Sequence, residues 1–167
     1  HYLDADRLLH LFRLRAGLPS SVEPLAGWES PLCVFQGTFT GSYLTACMLM
    51  YLSTGDEALK DKADYIVAEL SKCQEAIGTG YLSAFPEIYF DDIEALEPGR
   101  VGFTKVSWYL LHKMMNGLYH VYRYGGNEEA LAVLKNMAAW AKSRTDRLTE
   151  HHMQRLLDIE QGGMKEV

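Results

Sequence analysis

Four polar or aromatic residues recur at helical spacing in the second half of the chain. Tyr109, His112, Asn116 and His120 are three or four residues apart, so a helix places them along one side. An imidazole and an amide can hydrogen-bond to hydroxyl groups, and a tyrosine ring can stack on a sugar. The same spacing also fits a buried histidine beside surface polar residues, and both interpretations stay open at this point.

Aromatic residues are concentrated in the segments that we predict to be loops and at the ends of helices. Sugar rings present apolar faces that stack on aromatic rings, together with hydroxyls that need polar partners. Packing of large rings in the core is the simpler interpretation and accounts for most of them. The rings concerned are Trp28, Phe35, Phe39, Tyr43, Tyr81, Phe85, Tyr89, Phe90, Phe103, Trp108 and Tyr109.

Carboxylate pairs, the usual machinery of glycoside hydrolysis, are only weakly indicated. Asp91 and Asp92 are adjacent and lie in the acidic run 87–97, which has no basic residue, so we expect a solvated surface there. Glu160 and Glu166 flank a Gly-Gly turn and are better placed. Sequence alone brings neither of them opposite a partner.

The cysteines and the paired histidines do not predict a metal centre in this chain. The three cysteines lack CxxC spacing, and Cys47 and Cys73 lie in apolar helical stretches, so we predict reduced, packed thiols. His151 and His152 point about 100° apart on a helix and do not easily share one ion. The compartment stays open between cytoplasmic and secreted with a leader removed, because the sequence begins at His1 rather than Met.

Helical periodicity extends over nearly the whole chain. The pattern predicts helices over 4–15, 38–53, 57–76, 105–124, 128–144 and from 149 to about 159, with a short helix in the acidic run. The apolar stretch 44–52 predicts a fully buried central helix. Residues 50–59 resemble residues 121–131, and each unit passes from an aromatic-rich helix through a tight turn to an amphipathic helix. This repeat predicts an all-α fold of antiparallel hairpins, the pattern of an α/α toroid with its long loops at one end.

Length and composition indicate one folded domain, residues 1–167. The chain has 167 residues, of which 48% are hydrophobic and 23% charged, values that exclude disordered and collagen-like classes. A net charge of -6 argues against nucleic-acid binding, which needs a basic surface. The apolar stretch 44–52 is far shorter than the roughly 20 residues that span a membrane, so we expect no membrane partner.

A series of motifs, in order along the chain, resembles glycoside hydrolase family 127, the β-L-arabinofuranosidase-like proteins. The family is similar in fold to an (α/α)6 barrel, and the resemblance implies that this chain is about the first half of that barrel. The matching segments are 2–10, 17–19, 27–29, 41–46, 51–56, 80–86, 109–113, 124–127 and 162–167.

The resemblance implies a zinc-bound cysteine nucleophile and a glutamate acid/base, both in a second half that this chain lacks. None of its cysteines matches that motif, so we expect no zinc and no catalytic set here. What the resemblance carries over is part of a carbohydrate pocket. The residues expected to bind the sugar are His112, Glu166, Trp28, Tyr43, Tyr109 and, from its helical spacing, Asn116.

Three polar positions depart from the family pattern. Thr38 and Ser42 stand where histidines are usual, and Lys165 replaces the motif asparagine. Replacing an imidazole by a hydroxyl removes a titratable group and leaves a shorter side chain, so we expect the contacts with the sugar to differ from those of the family. The alternative function is a stand-alone or engineered helical binding module, paired as a homo-oligomer through its exposed inner helices.

Overall fold

The computed structural model describes residues 3–96, 106–160 and 163–164. Over these residues the fold is all-α, as predicted, with helices joined by turns and loops. A short 3-10 turn, Gly27–Glu29, precedes the second helix. The predicted helix boundaries agree with the structure to within about two residues. The helices are α1 (Ala5–Arg15), α2 (Thr38–Thr54), α3 (Glu57–Ile77), α4 (Ile88–Glu94), α5 (Ser107–Gly125), α6 (Glu128–Thr145) and α7 (Glu150–Ile159).

Two antiparallel hairpins, α2–α3 and α5–α6, form the frame of the domain, and the repeat in the sequence predicted both. Each turn is a left-handed glycine, Gly55 or Gly126, followed by a residue that caps the next helix. The Asp56 side chain accepts a hydrogen bond from the Ala58 N–H, and Asn127 does the same for Ala130. Turns this short fold each pair of helices back on itself.

The two first helices of the hairpins, α2 and α5, cross in direct backbone contact. A Cβ added to Gly41 would lie 2.8 Å from the Met114 Cα, and one added to Gly117 would lie 2.9 Å from the Gly41 Cα. Further along, the Thr45 hydroxyl lies 3.0 Å from the His120 imidazole. Residue numbers increase together along the contact, so α2 and α5 are parallel. Both helices therefore begin at the same end, and the described loop 16–37 leads into α2 there.

Apolar residues at three- and four-residue steps in the sequence predict one buried face on α3 and one on α5. The structure buries them, for example Ile66 and Leu70 on α3 and Leu111 and Met115 on α5.

Helices α2 and α6 differ from expectation. On α6 the spacing predicts one apolar side that carries Leu134, Ala138 and Ala141. Leu134 and Ala141 are buried, but Ala138 is exposed, and the buried face centres on Val133, Met137 and Trp140, which the spacing places beside that side. The prediction that α2 is buried all round is wrong, because Leu49 and Met50 are about half exposed. None of the helices in the described ranges combines the length and hydropathy needed to cross a bilayer.

The expectation of a solvated surface in the acidic run holds for Asp91, whose side chain is 61% exposed, but is wrong for Asp92. Asp92 is buried, and α4 lies against the basic end of α6. The Arg144 guanidinium is buried and contacts the carboxylates of Glu87, Asp91 and Glu94, the last at 2.5 Å. The sequence does not predict this cluster, because Arg144 is about 50 residues away from the carboxylates along the chain.

Candidate functional site

A buried glutamate holds the loop before α2 against the start of that helix. Glu29 accepts hydrogen bonds from the backbone N–H groups of Gly37 at 2.8 Å and Phe39 at 2.7 Å. N–H groups in the first turn of a helix have no partner within the helix, so a carboxylate there satisfies them. Burial raises the pKa of Glu29, although these hydrogen bonds oppose the shift.

The same loop presents aromatic rings at the amino end of α2. Trp28, which adjoins Glu29, is 63% exposed, and its ring centroid lies 5.5 Å from that of Phe35. Phe39 is also exposed, and its ring lies 6.1 Å from the Tyr43 ring. Tyr43 is half-buried, and burial together with the neighbouring Cys47 raises its pKa to about 12. Trp28 and Phe39 therefore offer ring surface to a ligand, while Tyr43 mainly supports Phe39.

The first turns of α5 add a ring, a cation and an amide at this end of the domain. Tyr109 is exposed, and the Lys113 ammonium lies 5.0 Å from its ring centroid. Asn116 is half-buried, about two turns further along the helix. We call Trp28, Phe39, Tyr109, Lys113 and Asn116 the amino-end face, because they lie on the first turns of the parallel helices α2 and α5 or on the loop held there.

A second buried glutamate lies at the start of α5. Glu160, which follows α7, is 5% exposed, and its Oε1 accepts the Tyr109 backbone N–H at 2.7 Å. Burial raises the pKa of Glu160 to about 7, while hydrogen bonds from the first turn of α5 oppose the shift. The sequence singled out this glutamate by its place beside the glycine turn, but not its contact with α5.

His112 lies one turn beyond Tyr109 and is 1% exposed. Its ring centroid lies 6.1 Å from that of Tyr109, and the backbone of Gly163 covers it on another side. A Cβ added at Gly163 would lie 2.5 Å from Nδ1 and 2.9 Å from Nε2 of the imidazole. His112 is thus next to the amino-end face but beneath its surface, and its expected contact with a sugar stays a prediction.

The remaining predicted site residues have different positions. Glu166 and the departure Lys165 lie outside the described residues. Thr38 is buried and its hydroxyl donates to the Phe35 carbonyl at 2.7 Å, whereas Ser42 is exposed on α2. Sequence reasoning missed the capping role of Glu29 and the contact of Gly163 with His112. Both residues belong to motifs of the family resemblance, which was the available signal.

The described residues do not fit the zinc centre that the family resemblance implies for a complete enzyme. Over 3–96, 106–160 and 163–164, no three His, Cys, Asp or Glu side chains come together in a way that could hold a metal ion. Burial raises the pKa of Cys47 and brings that of Cys73 to about 11, so both stay thiols rather than the thiolates that bind zinc. The absence of zinc from this chain stays a prediction.

Parallel central helices joined to their neighbours by tight turns define an all-α domain of helical hairpins. The family model described as the β-L-arabinofuranosidase, GH127 catalytic domain matches residues 1–167, and the chain belongs to this family. This match confirms the resemblance found in the sequence motifs. A comparison with curated proteins gives no match.

Proposed function

We propose that this chain contributes part of a carbohydrate-binding surface to a β-L-arabinofuranosidase-type domain and is not catalytic by itself. The ligand is an arabinofuranoside-type plant carbohydrate, and the binding surface is the amino-end face. The observation that carries the proposal is the exposure of Trp28, Phe39 and Tyr109 on the first turns of two parallel helices or on the loop held there. Rings held rigidly in the open suit stacking on the apolar face of a sugar.

Polar groups beside the rings support the same ligand class. Lys113 donates hydrogen bonds, and Asn116 both donates and accepts them, which matches the mixed demands of sugar hydroxyls. Glu29 and Glu160 hold the backbone on which the rings are mounted. The face is therefore largely formed before a ligand arrives, and preformed sites lose less entropy on binding.

The direct test is titration of the protein with an arabinofuranosyl oligosaccharide, followed by calorimetry or ligand-observed NMR. Trp28→Ala and Tyr109→Ala should each weaken binding about tenfold, the equivalent of about 1.4 kcal/mol. Tyr124→Ala is the matched control, because Tyr124 is an equally exposed ring on α5 that lies about 22 Å further along the helix than Tyr109 and about 12 Å beyond Asn116. Absence of binding by the unaltered protein, or equal losses in all three variants, would contradict the proposal.

Catalytic incompetence needs a separate test with a chromogenic arabinofuranoside, with and without added zinc. We expect no turnover above the buffer rate, because the residues that hydrolyse the bond are expected in another part of the barrel. Robust zinc-dependent hydrolysis by this chain would overturn that part of the proposal.

A second candidate is a helical interaction module that pairs with another copy of the chain through α2. The observation that favours it is the group of half-exposed apolar residues Leu49, Met50 and Leu52 near the end of this central helix. Exposed apolar groups of this kind often mark interaction surfaces.

A further inference from the structure

We propose that Glu160 is a positioning residue for His112. We call Glu160, Gly163 and Met164, the described residues after α7, the α7 extension; the hydrogen bond from α5 to Glu160 holds this extension against α5 and so keeps Gly163 packed on the imidazole. The role of His112 in sugar binding belongs to the proposed function, on which the interest of this inference rests. The positional claim itself needs no sugar.

The α7 extension and α5 meet at two contacts that are in register. Glu160 Oε1 accepts the Tyr109 N–H at 2.7 Å, and three residues later Gly163 lies on the ring of His112, which is three residues after Tyr109. One contact is a directional hydrogen bond and the other is close packing. The hydrogen bond between Glu160 and Tyr109 sets the position of the extension along the axis of α5. That position determines whether Gly163 lies on the His112 ring.

Helix α7 by itself makes few buried contacts that could fix the position of the extension on α5. Leu156 is the one residue of α7 that is buried, and the His152 ring lies 2.5 Å from the Glu94 carbonyl oxygen at the end of α4. Beside α5, the residues Trp108, Leu156, Glu160 and Met164 help to line a cavity of about 210 Å³. Met164 packs partly against the hydrophobic core, and the Glu160 hydrogen bond adds a directional contact between the extension and α5.

Gly163 explains why the position of the extension matters to His112. An added Cβ would lie 2.5 Å from the imidazole Nδ1, well inside van der Waals contact, so the approach needs a residue without a side chain. A small shift of the extension would either uncover the ring or press against it. Glu160 thus acts on His112 through the backbone of Gly163.

The experiment measures how fast diethyl pyrocarbonate modifies each histidine, with the sites resolved by mass spectrometry. In the unaltered protein His112 should react more slowly than the half-exposed or exposed His10, His151 and His152. Glu160→Ala should speed modification of His112 at least tenfold. Glu160→Gln should restore protection, because the glutamine Oε1 accepts the same N–H.

Glu29→Ala is the matched control. It removes the corresponding buried carboxylate from α2, and the hydrogen bonds of Glu29 go to Gly37 and Phe39 rather than to α5. His112 should stay protected in this variant. If Glu29→Ala exposes His112 as much as Glu160→Ala does, or if Glu160→Gln is as reactive as Glu160→Ala, the proposal fails.

Gly163→Ala keeps the test decisive if Glu160→Ala does not fold, as judged by circular dichroism. It leaves the Glu160 hydrogen bond intact and should still speed modification of His112 several-fold, because ring and backbone must separate. An unchanged rate would overturn the proposal. If the variants behave as expected but the unaltered protein binds no arabinofuranoside, the positional inference stands and the proposed function alone is contradicted.

Discussion

Glu29 and Glu160 occupy equivalent places at the amino ends of the two central helices. Each is buried, and each accepts a backbone N–H from the first turns of its helix at 2.7 Å. Glu29 is 10 residues from its partner Phe39, whereas Glu160 is 51 residues from Tyr109. The hairpin repeat visible at the turns therefore extends to the other end of the helices, where different parts of the chain supply the carboxylates.

Stability should fall as the pH rises through neutrality because of Glu160. Its pKa is about 7 in the folded protein against an ordinary 4.5, so the folded state holds the proton more tightly than the unfolded chain. This contribution is fully present below about pH 4.5 and is lost as the pH rises through about 7. Between pH 4.5 and 8 the loss should approach 3 kcal/mol relative to Glu160→Gln, as measured by urea unfolding. Parallel pH curves for the two proteins would contradict the assignment, since Glu29 is present in both.

The crossing of α2 and α5 should not tolerate side chains at its glycines. Gly41→Ala and Gly117→Ala place a Cβ within 3.0 Å of the opposite backbone, so the helices must move apart. Each change should cost about 3 kcal/mol or more in the free energy of unfolding. Gly125→Ala on α5, the helix that carries Gly117, is the control. Its added Cβ would lie 3.1 Å from the side-chain sulfur of Met48 and not against the backbone of another helix. Equal effects at all three positions would show that helix propensity, and not the crossing, sets the cost.

Arg144 should be essential to the packing of α4 on α6. Arg144→Ala leaves the carboxylates of Glu87, Asp91 and Glu94 close together without the cation between them. Only the Glu94 carboxylate is buried, whereas the Glu87 and Asp91 side chains are 37% and 61% exposed, so the cost should be about 2 kcal/mol, below the roughly 3–5 kcal/mol of a fully buried pair. Arg147→Ala is the comparison, since its side chain is largely exposed and contacts Glu94 at 3.0 Å, and a loss below about 1 kcal/mol is expected. Similar thermal melts for the two variants would count against this role.

Pairing through α2 should be visible in light scattering at high protein concentration. Leu49→Lys and Met50→Lys should shift a dimer to monomer, because they place charges among the exposed apolar residues of α2. Lysine at Leu32, which is 95% exposed on a loop, should leave the association unchanged. A strictly monomeric unaltered protein would argue against the interaction-module candidate and leave the carbohydrate-binding proposal untouched.

Local patterns predicted most of the helical frame. Asp56 and Asn127 predict helix starts because their side chains are good N-caps, and the neighbouring glycines predict the turns. Both hairpins therefore follow from residues that are close together in sequence. The stripe Trp108, Leu111, Met115 predicts the buried face of α5 for the same reason. The site was harder to predict, because burial of Glu29 and His112 depends on segments that are distant in sequence or have no periodic pattern.

Residue order by itself determined the helical class, the two repeated hairpins, the aromatic loops and the family motifs, because capping, turn chemistry and periodicity act over a few residues. Only the tertiary structure decided that Gly41 and Gly117 bring α2 and α5 into backbone contact, and that Arg144 neutralises the acidic run. It also decided that Glu160 reaches Tyr109 while Gly163 covers His112. These contacts join positions dozens of residues apart, and their energies arise from burial and close approach, which exist only once the chain has folded.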